Sequence, residues 1–214
     1  MSMIASVLQL DRRAVKALRI TDAYSLHRVV YSLYADVRDT ESKVGSKPSG
    51  ILYADQGGDY HGRRILLLAD RSPAEAVEGQ YGQVLSKPIP EHFLEHSLYR
   101  FKVIVNPTRR DSASRKLIPV RGREAIAQWF IERAEQSWGF SVPPEQLQVD
   151  KIDVQRFNDK HQRPVTIAQA HVKGLLTVVD PQRFNISFTQ GVGRGRAYGC
   201  GLLQIVPVLD NPFA

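Results

Sequence analysis

The apolar positions along this chain change period several times, and the changes predict its elements. Residues 4–10 read as a strand and residues 12–19 as a polar connection. Leu26, Val29, Val30 and Leu33 then recur at helical spacing behind Thr21 and Asp22, two good N-cap residues, which predicts a helix to about residue 35. Residues 36–50 are polar and read as a loop. Residues 51–56 and 64–69 follow as strands joined through Gly57-Gly58-Asp59, a hairpin signal. Residues 73–79 predict a short helix and 83–85 a short last strand. The order is βαββαβ, a ferredoxin-like unit.

Lys87-Pro88-Ile89-Pro90 has the stiffness of a linker, and the pattern then repeats. Residues 99–105 alternate as a strand, and 106–117 form a basic, polar loop. Residues 123–138 predict an amphipathic helix with Ile126, Trp129, Phe130 and the Arg133 stem toward the core, closed by Gly139. Residues 149–157 and 165–179 read as a long hairpin turning at Asn158-Asp159-Lys160, residues 181–189 as a short helix, and the chain closes on a strand. The expected fold is therefore α+β, two tandem ferredoxin-like, RRM-like βαββαβ domains: residues 1–87, a linker over 88–97, and 98–214. RRM topology commonly binds RNA, although fold does not decide function and the usual stacking aromatics are not evident.

Charge sharpens this picture by its distribution. Residues 1–98 carry twelve basic and twelve acidic side chains, whereas residues 99–214 carry seventeen and ten, so the whole excess of +7 lies in the second half. Residues 100–123 alone hold eight basic residues against Asp111. Such a cluster is either a solvated face or a polyanion site. No apolar run approaches the roughly 20 residues of a membrane span, and no N-terminal leader pattern is present, which predicts a cytoplasmic protein. The single Cys200, between two glycines, reads as buried packing.

Residues 191–201 hold five of the fifteen glycines together with Arg194 and Arg196. Glycine at this density permits positive φ and turns successive N–H groups into one concavity suited to phosphate; the bland alternative is a structural bulge. A dinucleotide fingerprint is excluded, because the sixth residue from Gly191 is Arg196 and from Gly193 is Tyr198, and a β-type run rather than a helix follows.

These residues together resemble the CRISPR repeat-processing endoribonucleases, most closely the form that serves the type I-E Cascade complex. The resemblance rests on Asp22-Ala23-Tyr24-Ser25-Leu26-His27 at the opening of the first helix. It rests further on Asn106-Pro107-Thr108-Arg109-Arg110 with Ser114-Arg115-Lys116, on Val178-Val179-Asp180-Pro181, and on the glycine-rich stretch from Gly191 to Leu203. It implies metal-independent cleavage of precursor CRISPR RNA at the 3′ base of a repeat stem-loop by 2′-OH attack, leaving a 2′,3′-cyclic phosphate, without a cofactor or a metal. It also implies that the product stays bound within Cascade, beside the backbone and Cas5-type subunits, and that the isolated protein is a monomer. His27 and Tyr24 would be the catalytic pair. Arg109, Arg110, Arg115 and Lys116 would contact the stem, Arg156 and Arg163 its groove from the hairpin tip, and Gly193, Arg194, Gly195 and Arg196 would contribute from the glycine loop.

The chemistry suits those residues. Histidine serves proton transfer near neutral pH, and Tyr24, His27 and Tyr31 fall on one side of the helix, away from its apolar face. Positive potential at the first helical turn would attract phosphate and favour a neutral imidazole nearby. Taken without the resemblance, a lone His27 reads as an ordinary surface residue. Three rivals remain: a hairpin-binding subunit that does not cut, a repeat endonuclease of a neighbouring CRISPR subtype with the same chemistry, and a zinc peptidase built on His92-Phe93-Leu94-Glu95-His96, which spells an inverted H-x-x-E-H motif with both histidines on one helical face.

Overall fold

Strand β1 (Ile4–Asp11) opens the chain in the computed structural model, which describes residues 3–35 and 49–209. The polar stretch expected at 36–50 lies almost entirely outside the described residues, as does the tail from residue 210. The chain divides into two compact units. The first contains the residues up to Ile89 together with Arg156–Val165 and Ala197–Gly199; the second contains Pro90–Gln155, Thr166–Arg196 and the residues from Cys200 onward. Two short pieces from far along the sequence therefore belong to the first unit.

In the first unit, α1 (Arg12–Ala17), α2 (Ala23–Ser32), β2 (Ile51–Gly58), β3 (Gly62–Ala69) and β4 (Gln83–Pro88) follow β1. The antiparallel sheet has the order β2-β3-β1-β4, the ferredoxin-like arrangement. Its register sets Leu8 opposite Ile65 and Leu10 opposite Arg63, while Ile51 lies opposite Ala69 and Tyr53 opposite Leu67. Strand alternation sends Leu8, Leu10, Ile51, Tyr53, Ile65 and Leu67 into one core with Leu26, Val29, Val30 and Leu33 of α2. That helix begins in a capping box: Asp22 Oδ1 accepts from the Ser25 amide at 2.7 Å and Ser25 Oγ accepts from the Asp22 amide at 2.9 Å. Such a cap contributes about 1 kcal/mol and fixes which residues occupy the first turn.

Two local expectations for this unit are corrected. Residues 12–17 are helical because Asp11 Oδ1 caps the Ala14 amide at 2.7 Å and Ala14 is buried; Arg19, with φ 51°, ends the run. The short helix expected at 73–79 is a series of bends and turns. The Ala74 amide donates instead to Leu33 O at 2.7 Å, Val77 bridges Tyr81, and Glu78 and Gly79 both have positive φ, so no helical turn can nucleate.

The second unit runs β5 (Leu98–Val105), β6 (Thr108–Arg110), β7 (Leu117–Pro119), α3 (Arg123–Arg133) with a π-turn over Ala134–Trp138, and β8 (Phe140–Ser141). It continues through β9 (Leu147–Asn158) and β10 (Pro164–Val178), whose tip over Arg156–Val165 belongs to the first unit, then α4 (Pro181–Gln190) and β11 (Gln204–Pro207). Its sheet has the order β11-β5-β10-β8, with β9 also paired to β10. With β9 beside β10, the order of the four principal strands repeats that of the first unit. Phe101 stacks on Phe130 at 5.5 Å, and Phe130 meets Trp138 edge-on at 5.2 Å. Ala134 rather than the Arg133 stem fills the inward position, because it follows Ile126 and Phe130 at four-residue spacing on the same face, while Arg133 is exposed. The loop expected at 106–117 contains the small hairpin β6–β7, moored where Trp129 Nε1 donates to Thr108 O at 3.0 Å. No helix among the described residues is long and apolar enough to cross a membrane.

Candidate active site

The cap on α2 decides the site. With Ala23 as the first helical residue, Tyr24 lies in the first turn and His27 opens the second, both half-buried, while Leu26, Val29 and Val30 face the core. His27 is thus one turn beyond the strongest part of the helix dipole, and what orients it is a carbonyl. Its Nδ1 lies 2.7 Å from Ala197 O, in a segment of the same compact unit although 170 residues away in sequence. A carbonyl oxygen only accepts, so Nδ1 carries a proton, and in the neutral ring the basic lone pair is on Nε2. Tyr53, on β2, donates its hydroxyl to the same Ala197 oxygen at 2.9 Å.

Aromatic rings surround the imidazole. Tyr24 stacks at 6.1 Å and 19°, Tyr31 lies at 4.1 Å and Tyr198 at 5.5 Å, and Phe157 packs on Tyr198 at 4.7 Å. Tyr31 exchanges a hydrogen bond with Ser49 Oγ at 2.9 Å. Partial burial, assisted by the Asp159 carboxylate and by Tyr24 and Tyr31, raises the Tyr198 phenol above the ordinary tyrosine range, with Arg163 opposing the shift. Tyr198 is therefore a neutral hydroxyl at physiological pH. Helical spacing alone brings Tyr24, His27 and Tyr31 together, whereas only the fold adds Ala197, Tyr198 and Tyr53 to them. An aromatic residue inside a glycine-rich loop was the available signal for Tyr198; a backbone oxygen leaves none.

The predicted RNA-binding residues fall into three groups. Arg156 and Arg163 lie at the β9–β10 tip, in the same compact unit as His27, and both are exposed. Arg163 pairs with Asp159 at 2.7 Å, and Asp159 also accepts the His161 and Arg163 amides, which holds its carboxyl down at about 2. Arg109, Arg110, Arg115 and Lys116 are exposed along the β6–β7 hairpin of the second unit, where Arg110 Nη1 donates to Arg115 O at 2.8 Å. In the glycine loop Arg194 is exposed, while Arg196 Nη1 donates to Gln190 O at 2.7 Å.

The glycine loop has a visible structural task. Gly195 has φ 77°, and a Cβ there would approach Cys200 Sγ to 3.2 Å; Gly199 has φ 83°, and a Cβ there would lie 3.2 Å from Cε2 of Tyr53. Glycine thus permits the positive-φ turns on either side of Ala197. Cys200 is buried, its thiol is pushed up to about 12 by burial, and Gln169 donates to its sulfur at 3.5 Å.

The H-x-x-E-H segment is a turn over residues 91–94 rather than a helix, so His92 and His96 do not share a helical face. His92 Nδ1 instead pairs with Glu95 at 2.9 Å with both side chains mostly exposed, and the His96 amide is bonded to the Tyr99 hydroxyl. Among the described residues no group of three or more His, Cys, Asp or Glu side chains is arranged to hold a metal ion.

Comparison with known proteins adds to this geometry. The sequence profile of the CRISPR-associated protein family matches residues 3–207. A relative from Thermus thermophilus, the CRISPR-associated endoribonuclease Cse3, is 29% identical over 137 residues, covering 59% of this chain and 64% of that one. The match thus spans just under two thirds of that relative's length. Among solved structures, Thermus thermophilus Cse3 bound to an RNA representing a pre-cleavage complex superposes with a TM-score of 0.78 at 22% identity, over 97% of this chain and 100% of that one. A Cse3 endoribonuclease bound to a 19-nucleotide RNA gives 0.80 at 21% identity, again over 97% and 100%. The CRISPR-associated protein Cas6e of Escherichia coli K-12 gives 0.61 at 16%, over 96% and 100%. The fold is that of these double ferredoxin-like proteins.

Proposed function

The chain belongs to the CRISPR-associated protein family, and from that premise we propose that it is an endoribonuclease that cuts precursor CRISPR RNA at the 3′ base of the repeat stem-loop. The observation that carries this reading is the Nδ1–H of His27 held on Ala197 O among Tyr24, Tyr31 and Tyr198. Nε2 of the neutral ring takes the proton of the ribose 2′-OH at the scissile phosphate. The 2′-oxygen forms a bond to phosphorus as the bond to the 5′-oxygen breaks, and that leaving oxygen takes a proton from the imidazolium just formed or from solvent water, which leaves the proton count unchanged. The products are a 2′,3′-cyclic phosphate and a 5′-hydroxyl, and no metal ion enters the proton balance. A positioned imidazole supplies roughly 10² to 10⁴ in rate, and alignment of the 2′-oxygen with the leaving group supplies much of the rest. Tyr24, beside His27 at the helix opening, orients the attacking hydroxyl or a phosphate oxygen.

Arg156 and Arg163 hold the stem from the hairpin tip, with the β6–β7 basic residues and the arginines of the glycine loop adding phosphate contacts. A-form RNA is read mainly through its backbone and shape, which suits arginines on exposed loops. The cut RNA stays bound and the protein serves as a subunit of a Cascade-type complex. Supporting this, the fold also resembles a chain of a CRISPR RNA-guided surveillance complex at a TM-score of 0.65. The test is incubation of purified protein with repeat hairpins in EDTA, with the new termini analysed. Cleavage giving a cyclic phosphate, abolished in His27→Ala with hairpin affinity retained, is expected. Tight binding without any cleavage would leave the non-cutting hairpin-binding subunit.

A further inference from the structure

Tyr53 lies on β2 with 1% of its surface exposed, and its hydroxyl and the His27 imidazole donate to one backbone oxygen. A carbonyl has two lone pairs, and Ala197 uses one for each donor. The loop also rests on the Tyr53 ring, since Gly199 approaches so closely that a Cβ would lie 3.2 Å from Cε2. The segment that presents the oxygen is a single turn of 3₁₀-helix, Arg196–Tyr198, between glycines of positive φ. Such a segment has little rigidity of its own, and within this unit Tyr53 holds it at both the hydroxyl and the ring.

We propose that Tyr53 is a positioning residue that sets the tautomer of His27 by fixing the Ala197 carbonyl; this rests on His27 being the proton-transfer group. Neutral imidazole has two tautomers, and only the one with its proton on Nδ1 has a lone pair on Nε2 to accept the 2′-OH proton. A well-placed carbonyl opposite Nδ1 selects that form, whereas a loose one lets the ring populate the form in which Nε2 is already protonated. Tyr53 touches neither substrate nor reacting atoms in this scheme. Its effect falls on the rate of the chemical step and leaves RNA affinity alone.

Tyr53→Phe removes one oxygen and preserves the ring against Gly199. Tyr34→Phe is the matched control, a second buried tyrosine of the same unit, whose hydroxyl has no hydrogen-bond partner among the described residues. The measurements are single-turnover cleavage at saturating protein, hairpin Kd, and imidazole ¹⁵N shifts of His27. Wild-type protein and Tyr34→Phe are expected to show an Nδ1–H ring and equal rates. Tyr53→Phe is expected to show mixed tautomers, a rate lower by about tenfold, the scale of one lost hydrogen bond, and an unchanged Kd. An unmoved ¹⁵N pattern in Tyr53→Phe overturns the proposal, whether or not the rate falls. Should that variant not fold, a wild-type neutral ring with its proton on Nε2 overturns it equally. The broader reading fails separately, if His27→Ala cleaves at the wild-type rate, and the ¹⁵N comparison still decides the link from Tyr53 to His27.

Discussion

Two histidine segments of this chain invert the usual relation between motif and site. His92-Phe93-Leu94-Glu95-His96 spells a metalloprotease pattern, yet His92 is 77% exposed, bonded to its own neighbour Glu95, and set in a turn. His27 stands in a far plainer pattern, a tyrosine three residues before it, yet its ring is fixed by an oxygen 170 residues away and enclosed by three tyrosines. The difference is in what each ring is tied to. A local pair leaves an imidazole solvated and ordinary, whereas a long-range bond that only the folded chain can make fixes its tautomer and direction.

The largest test of that contrast places both histidine segments in one assay. His27→Ala is expected to lower single-turnover cleavage of a repeat hairpin by at least about 10²-fold, while His92→Ala and His96→Ala change it by less than about twofold. Equal losses at the two places would erase the distinction. A smaller effect is expected where side chains act through charge alone. Arg109→Gln with Lys116→Gln removes two exposed cations of the β6–β7 hairpin and should weaken hairpin binding, flattening the plot of log affinity against log salt by about two units. The cleavage rate at saturating protein is expected to stay the same, separating holding the RNA from cutting it.

What the sequence could reveal follows the same division. Strand alternation and the helical spacing of Leu26, Val29, Val30 and Leu33 are local, and they marked the principal strands of both units and the first helix; Asp22 marked the helix start, while its partner in the cap, Ser25, emerged only in the fold. The helix expected at 73–79 failed because the Ala74 amide is used by Leu33 O, a bond between turns that no local pattern encodes. Likewise His27 and Tyr24 were legible from their spacing and family likeness, but the Ala197 oxygen and the Tyr53 hydroxyl were not. Every residue has a backbone oxygen, so only the fold singles one out.

The hairpin tip offers a pH test of the same idea, that local ties give modest, predictable effects. Asp159 is depressed chiefly by the Arg163 amide and also by Arg163's side chain and the His161 amide, to about 2. An acid depressed in the fold contributes stability that is complete above its unfolded value, about 4, and is lost as pH falls through about 2. Amide exchange at residues 161–163 is therefore expected to accelerate relative to the rest of the unit as pH falls from 4 toward 2. Asp159→Asn should abolish that pH response. A carboxyl titrating at the ordinary value would show that the tip is not held as described.

The smallest effect is expected at Tyr34, and it completes the comparison by removing a hydroxyl that is tied to nothing among the described residues. Burial pushes its phenol upward, with the nearby Arg71 guanidinium opposing the shift, so the group is neutral throughout the physiological range. A buried hydroxyl without a partner forfeits its hydration, which costs about 1–3 kcal/mol, while the ring remains useful both in the core and beneath Arg71, whose guanidinium carbon lies 5.6 Å from the ring centre. Tyr34→Phe deletes the cost and keeps the ring. It should leave the urea midpoint unchanged or raise it by an amount equivalent to about 1 kcal/mol or less, with cleavage unaffected. A clear loss of stability would mean that the hydroxyl has a partner after all, and that burial alone does not distinguish it from Tyr53.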